Sequence, residues 1–208
     1  MYKLIKSEER EEIVINKSRF IGTGFLCEDE SAAKAKIEAI RKEFRDATHN
    51  CYAYVFDSLG NAMKFSDDGE PQGTAGMPIL EVLKNKKLVL SGVVVTRYFG
   101  GIKLGAGGLV RAYTDCAVKT LDKCGVVVMT EAVELELSVE YPAAKATERF
   151  LRDYVVSETS YAERVTYKVI CKKSQVKALE AGFTELTLGR GVCKALRERY
   201  YAFENQIW

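Results

Sequence analysis

The chain has 208 residues, of which 47% are hydrophobic and 29% are charged, and its formal net charge is +2. These values are ordinary for a globular protein, so the composition excludes wholesale disorder. The charge is also evenly spread, because the residues from Glu131 onward include twelve basic and twelve acidic ones. Neither half of the chain carries the basic excess that is typical of non-specific nucleic-acid binding. Any binding of RNA must therefore depend on a local patch.

The apolar runs and the cysteines indicate where the protein resides. The longest apolar run, 88–95, is interrupted by Ser91 and Gly92 and is far too short to span a membrane. The first twelve residues are charged where a secretory signal would be apolar, so we expect a cytoplasmic protein with no membrane partner. The six cysteines form no C-x-x-C pair, which argues against structural zinc and favours reduced, buried thiols.

The first half of the chain alternates between strand and helix patterns. Residues 89–98 are almost wholly apolar, which predicts a central strand that is buried on both faces. Apolar residues at three- and four-residue spacing predict helices, and β-branched or aromatic runs predict strands. The predicted strands are 11–16, 19–27, 51–57 and 89–98; the predicted helices begin near Asp29 or Ser31, at Met77 and after the glycine-rich segment 99–107, and the last ends at Gly125.

The second half has a different organisation. Strict alternation from Val133 to Tyr141 predicts a strand with one face in solvent. The following patterns predict a helix after Pro142, strands at 155–161 and 163–171, a helix capped by Ser174 and a strand at 183–188. This β-α-β-β-α-β order is that of a ferredoxin-like domain.

These patterns predict three parts of the chain. A first domain covers 1–127, a ferredoxin-like domain covers 128–189, and 190–208 form a helical tail. The tail prediction depends on four apolar residues at roughly helical spacing among arginines: Val192, Leu196, Tyr200 and Phe203.

The glycine-rich segment is the main candidate for function. A buried strand leads into a glycine loop, and the loop begins a helix, so backbone N–H groups can converge on an anion at the helix N-terminus. The spacing is neither that of a P-loop nor that of a Rossmann site. The glycines have a second interpretation as residues that only allow tight packing. The candidate anion or RNA site consists of Arg97, Tyr98, Gly100, Gly101, Lys103, Gly105, Gly107 and Arg111.

A second candidate is the acidic loop, with Asp67, Asp68, Glu70 and Thr74. Its carboxylates suit a divalent cation or the basic groups of the glycine loop, and we expect both loops to lie on the same face. The order of a calcium loop is absent, however, and a solvated acidic turn is the simpler interpretation.

A third candidate is the pair His49 and Cys51, which lie two residues apart and so share one face of a strand. A cysteine activated by histidine is one interpretation, and a structural histidine beside a core cysteine is the other. No motif in the chain indicates a cofactor, and we expect none.

Three segments are similar to known proteins: 48–54, 67–76 and 97–113 resemble the three signature blocks of the IMPACT/YigZ family, in register from about Lys17 to Lys123. The resemblance implies an α+β protein. Its N-terminal part would be an α/β sandwich similar to the second domain of a small-subunit ribosomal protein. Its C-terminal part would be a ferredoxin-like domain resembling the last domain of elongation factor G.

Bacterial members of this family are thought to bind nucleic acid or the translation machinery. The resemblance therefore implies a translation-associated binding protein whose partner is RNA, the ribosome or a translation-related protein, contacted through the glycine loop. The alternative is a small-molecule or nucleotide phosphate-binding enzyme with a divalent metal, because metabolite kinases share the implied N-terminal fold. The proline-rich, serine-containing phosphate motif of those kinases is absent, so we expect binding rather than catalysis.

Overall fold

The computed structural model describes residues 1–203. Its internal contacts divide the chain into two compact units. The first is Tyr2–Val128, here called the N-terminal unit, and the second runs from Met129 onward and is called the C-terminal unit. Among residues 1–203, no helix has the length and apolar character that crossing a membrane requires.

The N-terminal unit contains both strands and helices. The predicted strands and helices are present at close to their expected positions, whereas two short strands, β1 and β5, were not predicted. The strands are β1 (Tyr2–Ile5), β2 (Arg10–Ile15), β3 (Ser18–Leu26), β4 (His49–Val55), β5 (Met63–Ser66) and β6 (Ser91–Tyr98), and the helices are α1 (Glu30–Glu43), α2 (Gly76–Asn85) and α3 (Gly105–Cys124).

Five of these strands form one sheet in the order β2-β3-β6-β4-β5, and all neighbours are antiparallel. Val93 and Val95 of β6 belong to the core beneath α2 and α3, whereas Val94 belongs to the core beneath α1. All three side chains are fully buried. The predicted burial of β6 on both faces is thus confirmed, because helices cover both sides of the sheet.

The C-terminal unit has the ferredoxin-like arrangement. Its strand order is β10-β7-β9-β8, with antiparallel neighbours, and the α+β class is confirmed. Strand β7 begins at Val126 and continues past Val128, so the boundary between the units falls inside a strand. The elements are β7 (Val126–Val139), α4 (Tyr141–Phe150), β8 (Val155–Tyr161), β9 (Val165–Lys172), α5 (Val176–Leu186) and β10 (Val192–Ala202).

The end of the chain differs from its prediction. The predicted strand at 183–188 is wrong, because α5 extends to Leu186 and Phe183 packs into the core as a helical residue. The helical tail predicted for 190–208 is also wrong, because Val192–Ala202 form β10, which pairs with β7 and completes the sheet. Residues 204–208 lie outside the described part of the chain. Independent folding of 1–127 and 128–189 stays a prediction.

A β-bulge explains the error in the tail. The register of β10 against β7 shifts between Ala195 and Arg197, so the extra residue reverses which side chains face each side of the sheet. The alternation on which a strand prediction depends is therefore broken in the middle of β10. The apolar residues of the tail are then spaced by roughly four residues, which is the spacing typical of a helix.

The contact between α3 and β3 is very close. A Cβ atom added to Gly22 would lie 1.9 Å from Oγ1 of Thr120 and 3.1 Å from Sγ of Cys116. We expect Gly22→Ala to lower the free energy of unfolding by about 1–3 kcal/mol, because the helix or its side chains must move to admit the methyl group. Urea denaturation measures the change.

The matched control is Gly107→Ala in α3, where an added Cβ would meet no atom within 4 Å. Alanine is favoured over glycine inside a helix, so this variant should be about 0.5–1 kcal/mol more stable than the parent protein. Equal stability of both variants would mean that β3 and α3 do not pack as closely as described.

Candidate functional site

The candidate site lies at one end of the sheet of the N-terminal unit. His49 begins β4 and pairs with Arg97 near the end of β6, and the glycine loop follows at once and leads into α3. Both residues are in phase with neighbours that face α2 and α3, since Cys51 and Val95 belong to that core. The sheet therefore delivers both side chains to the place where α3 begins.

These elements enclose a cleft of about 460 Å³. Glu70 of the acidic loop and Lys103 of the glycine loop both line this cleft. The two loops therefore meet on one face at Glu70, as predicted. Apolar side chains make up much of the rest of the wall. The lining residues are Thr48, His49, Glu70, Pro71, Arg97, Phe99, Lys103, Leu104, Gly105, Ala106 and Leu109.

A buried ion pair forms the floor of this cleft. Arg97 is 5% exposed and Glu70 is 8% exposed, and Nη1 of Arg97 donates to Oε1 of Glu70 at 2.6 Å. The hydroxyl of Tyr113 on α3 donates to the same oxygen at 2.8 Å. One carboxylate oxygen thus joins β6, the acidic loop and α3.

Arg97 is held in place on several sides. Its guanidinium lies 5.3 Å from the ring centre of Phe20 and 5.5 Å from that of Phe99, and Nη2 donates to Oγ of Ser18 at 3.4 Å. Within residues 1–203, the buried Nε has no hydrogen-bond partner. Arg97 is therefore a fixed structural cation paired with Glu70, whereas the sequence predicted it as a cation of the anion or RNA site.

The two aspartates of the acidic loop serve the backbone. Asp67 accepts hydrogen bonds from three backbone N–H groups at or before the start of α2, those of Gly73, Ala75 and Gly76. Asp68 accepts the backbone N–H of Asn50 and pairs with Arg41.

Thr74, the remaining residue of the predicted cluster, is buried and its hydroxyl donates to the carbonyl oxygen of Pro71. Glu70 alone of the three carboxylates lines the cleft. Residues 1–203 contain no group of three or more histidine, cysteine or carboxylate side chains placed to hold a metal ion.

Cys51 lies behind the floor of the cleft and is fully buried. Its sulfur is 3.0 Å from the carbonyl oxygen of Asp67 and 3.3 Å from the hydroxyl of Tyr113. Burial raises the pKa of this thiol far above its usual range, so Cys51 is neutral at physiological pH. This geometry favours the structural interpretation of Cys51 over the activated nucleophile.

The glycine loop has two parts with different roles. Gly100 lies against the hairpin turn between β2 and β3, since an added Cβ would be 2.1 Å from the carbonyl carbon of Lys17. Gly101 and Gly105 have positive φ angles of 84° and 71°, and added Cβ atoms at Gly105 and Gly107 would meet nothing within 4 Å. The first part is a packing device, and the second leaves the start of α3 open.

Of the remaining predicted site residues with charged or aromatic side chains, one lines the cleft and two do not. Lys103 is exposed and lines it, and no side chain caps the N-terminus of α3. Arg111 is exposed and its Nε donates to the carbonyl of Gly107 one turn earlier, outside the cleft lining. Tyr98 points elsewhere, because its hydroxyl donates to Asp46.

Sequence reasoning missed several residues of the site. Phe99, Leu104 and Leu109 line the cleft, and Tyr113 supports its floor. The hydroxyl contact of Tyr113 with Glu70 has no signal in the local sequence, because the two residues are 43 positions apart. The position of Phe99 between a strand and a glycine loop was the one available hint.

Comparison with known proteins identifies the family. A family model described as the Impact N-terminal domain matches residues 16–121, which include all three signature segments. The chain belongs to the IMPACT family. YvyE of Bacillus subtilis (strain 168), a member of that family, is 41% identical over 93% of this chain and 90% of its own. YigZ of Escherichia coli (strain K12) is 35% identical over 88% of this chain and 92% of its own.

A solved structure extends the comparison to the fold of this IMPACT family member. A crystal structure described as that of a hypothetical protein is 32% identical and covers 94% of this chain and 97% of its own, with a TM-score of 0.60. The similarity spans both units of the chain rather than the N-terminal unit alone.

The buried thiol generates a prediction about pH. Because the folded-state pKa of Cys51 is raised, the unfolded chain loses this proton above about pH 9 while the folded chain keeps it, so stability falls as pH rises. We expect the free energy of unfolding to fall more steeply in the parent protein than in Cys51→Ala, by about 1.4 kcal/mol per pH unit from pH 9.5 to 11. Urea denaturation at several pH values measures both slopes, and parallel curves would contradict the assignment.

Proposed function

We propose that this IMPACT family member is a translation-associated RNA-binding protein whose cleft holds a phosphate of the RNA. One observation carries the proposal: the N-terminus of α3, which no side chain caps, opens at the cleft beside the exposed cation of Lys103. Family membership, and the likeness to domains of translation proteins that it implies, favour RNA over other phosphate-bearing ligands.

The start of α3 has the properties of an anion site. The first N–H groups of a helix lack partners inside the helix, and the helix dipole places partial positive charge there. Open space beside Gly105 and Gly107 lets a phosphate approach the backbone. Lys103 adds a full positive charge.

The floor of the cleft does not oppose this attraction. Glu70 is paired with Arg97, so the two charges on the floor offset each other. The positive character of the cleft then depends on Lys103 and the start of α3. A local patch of this kind is what RNA binding requires in a chain whose charge is evenly spread.

The walls of the cleft suit a base attached to that phosphate. The ring of Phe99 is 47% exposed and borders the cleft, next to Leu104 and Pro71. Single-stranded RNA is commonly bound by stacking of its bases on such side chains. The cleft thus offers a phosphate contact and an apolar surface within one site.

The test is RNA binding across a salt series. We expect Lys103→Ala to weaken binding of a single-stranded RNA and to reduce the slope of log K against log salt by about 0.7, because one phosphate contact is lost. Lys42→Ala is the control, since Lys42 is an exposed residue of α1, on the other face of the sheet. Arg111→Ala measures whether the RNA extends along α3.

If the parent protein, Lys103→Ala and Lys42→Ala bind RNA with the same affinity and salt slope, the cleft does not hold the phosphate. Absence of binding even at low salt would overturn the proposed function and leave a protein partner as the explanation. Fluorescence anisotropy with labelled oligonucleotides measures all of these constants.

A nucleotide-binding enzyme is the second candidate, favoured by the cleft volume of about 460 Å³, which is in the range of small-molecule sites. This function would require magnesium held by the acidic loop. Asp67 already accepts three backbone N–H groups and Asp68 pairs with Arg41, so neither carboxylate is available without disrupting the loop.

We therefore expect magnesium not to increase the thermal stability of the protein in the presence of ATP. Melting temperatures with ATP alone, magnesium alone and both together measure this effect. A melting temperature that rises by several degrees only when ATP and magnesium are both present would favour the enzyme over the RNA-binding protein.

A further inference from the structure

We infer that the cleft selects RNA bases that carry an exocyclic amino group, which it recognises with Nε2 of His49 and Oε2 of Glu70. The inference rests on the proposed function and adds a base preference to it. Its basis is a pair of hydrogen-bond acceptors that face each other across a gap in the cleft.

The first acceptor is one oxygen of a buried carboxylate. Oε1 of Glu70 accepts hydrogen bonds from Arg97 and Tyr113, whereas Oε2 accepts none from any residue in the range 1–203. The side chain of Glu70 is only 4% exposed. Because no residue within 1–203 donates to Oε2, this charged atom is available to accept a hydrogen bond from a group that occupies the cleft.

The second acceptor is one ring nitrogen of His49. Its Nδ1 lies 2.8 Å from the carbonyl oxygen of Asp68, which can only accept. When the ring is neutral, Nδ1 therefore carries its hydrogen and Nε2 is left as an acceptor. The Asp68 carbonyl thus determines the chemistry that His49 presents to the cleft.

The two acceptors are separated by 3.9 Å, which is too far for a direct hydrogen bond. A nitrogen placed about 2.9 Å from both atoms fits in the gap, and its two hydrogens satisfy both acceptors. A water molecule can do the same, so a ligand group replaces that water favourably only if it also donates twice.

The amino groups of adenine, cytosine and guanine donate two hydrogens, whereas uracil presents carbonyl oxygens and a single ring N–H. A carbonyl oxygen in this gap would face a carboxylate and a ring nitrogen with no hydrogen between them. The apolar wall formed by Phe99 and Pro71 suits the ring of the base whose amino group reaches the gap. The cleft therefore favours an amino-bearing base and rejects uracil.

The test compares three single-stranded RNA 12-mers: oligoadenylate, oligouridylate and an oligomer of purine riboside, which is adenosine without its amino group. We expect the parent protein to bind oligoadenylate about tenfold or more tightly than the purine riboside oligomer, because both stack alike and only one can donate. Oligouridylate should bind most weakly of the three. Fluorescence anisotropy at one fixed salt concentration measures the affinities.

A matched pair of variants separates the two ring nitrogens. His49→Asn keeps a donor near the Asp68 carbonyl and removes the acceptor at the Nε2 position, so the preference for oligoadenylate over purine riboside should fall to less than about threefold. His49→Gln keeps an oxygen near the Nε2 position and should retain most of the preference. Lys103→Ala should weaken the binding of all three oligomers by the same factor.

Equal binding of oligoadenylate and the purine riboside oligomer by the parent protein would overturn this inference and leave the proposed function standing. A preference that survives His49→Asn would also overturn it, because the amino group would then be recognised elsewhere. Absence of binding to any of the three oligomers at low salt would instead overturn the proposed function itself.

Discussion

The ion pair between Arg97 and Glu70 is the interaction on which the candidate site depends. Two charges buried to this degree are stabilised by pairing with each other and by further hydrogen bonds. Tyr113 donates to Glu70, Ser18 accepts from Arg97, and the rings of Phe20 and Phe99 surround the guanidinium. Loss of either partner would leave the other charge buried and unpaired, which typically costs about 3–5 kcal/mol.

The orientation of the acidic loop follows from the same pair. Two aspartates fix the position of the loop so that Glu70 reaches Arg97. Asp67 binds the backbone at the start of α2, and Asp68 binds β4 and α1. The three carboxylates therefore form no common cation site. Two of them organise the backbone, and the third presents a carboxylate oxygen to the cleft.

The glycine loop has a closely packed part and an open part. Gly100 is required because the hairpin backbone lies where a side chain would be, which is a packing role. Gly105 and Gly107 have open space instead, which exposes the start of α3. A glycine run in a sequence does not distinguish these cases, because the difference depends on what other segments place beside each residue.

Much of the fold could be predicted from local patterns, because they reflect burial and chain geometry within a few residues. The burial of β6 on both faces, the helix pattern of α3, the first four elements of the C-terminal unit and the start of α5 all followed from such patterns. Strand β10 did not, since one bulged residue between Ala195 and Arg197 broke the alternation on which the prediction depended. The family signature likewise lay in the sequence, at the segments 48–54, 67–76 and 97–113.

The sequence by itself determined which residues are available to the candidate site, because His49, Glu70, Arg97 and Lys103 all lie in the signature segments. Only the tertiary structure decided their roles. It buries Arg97 against Glu70, leaves Lys103 exposed and places Cys51 in the core. It also places Nδ1 of His49 against the carbonyl oxygen of Asp68. The physical reason is that charge pairing, protonation and exposure depend on atoms contributed by strands and loops that are distant in sequence.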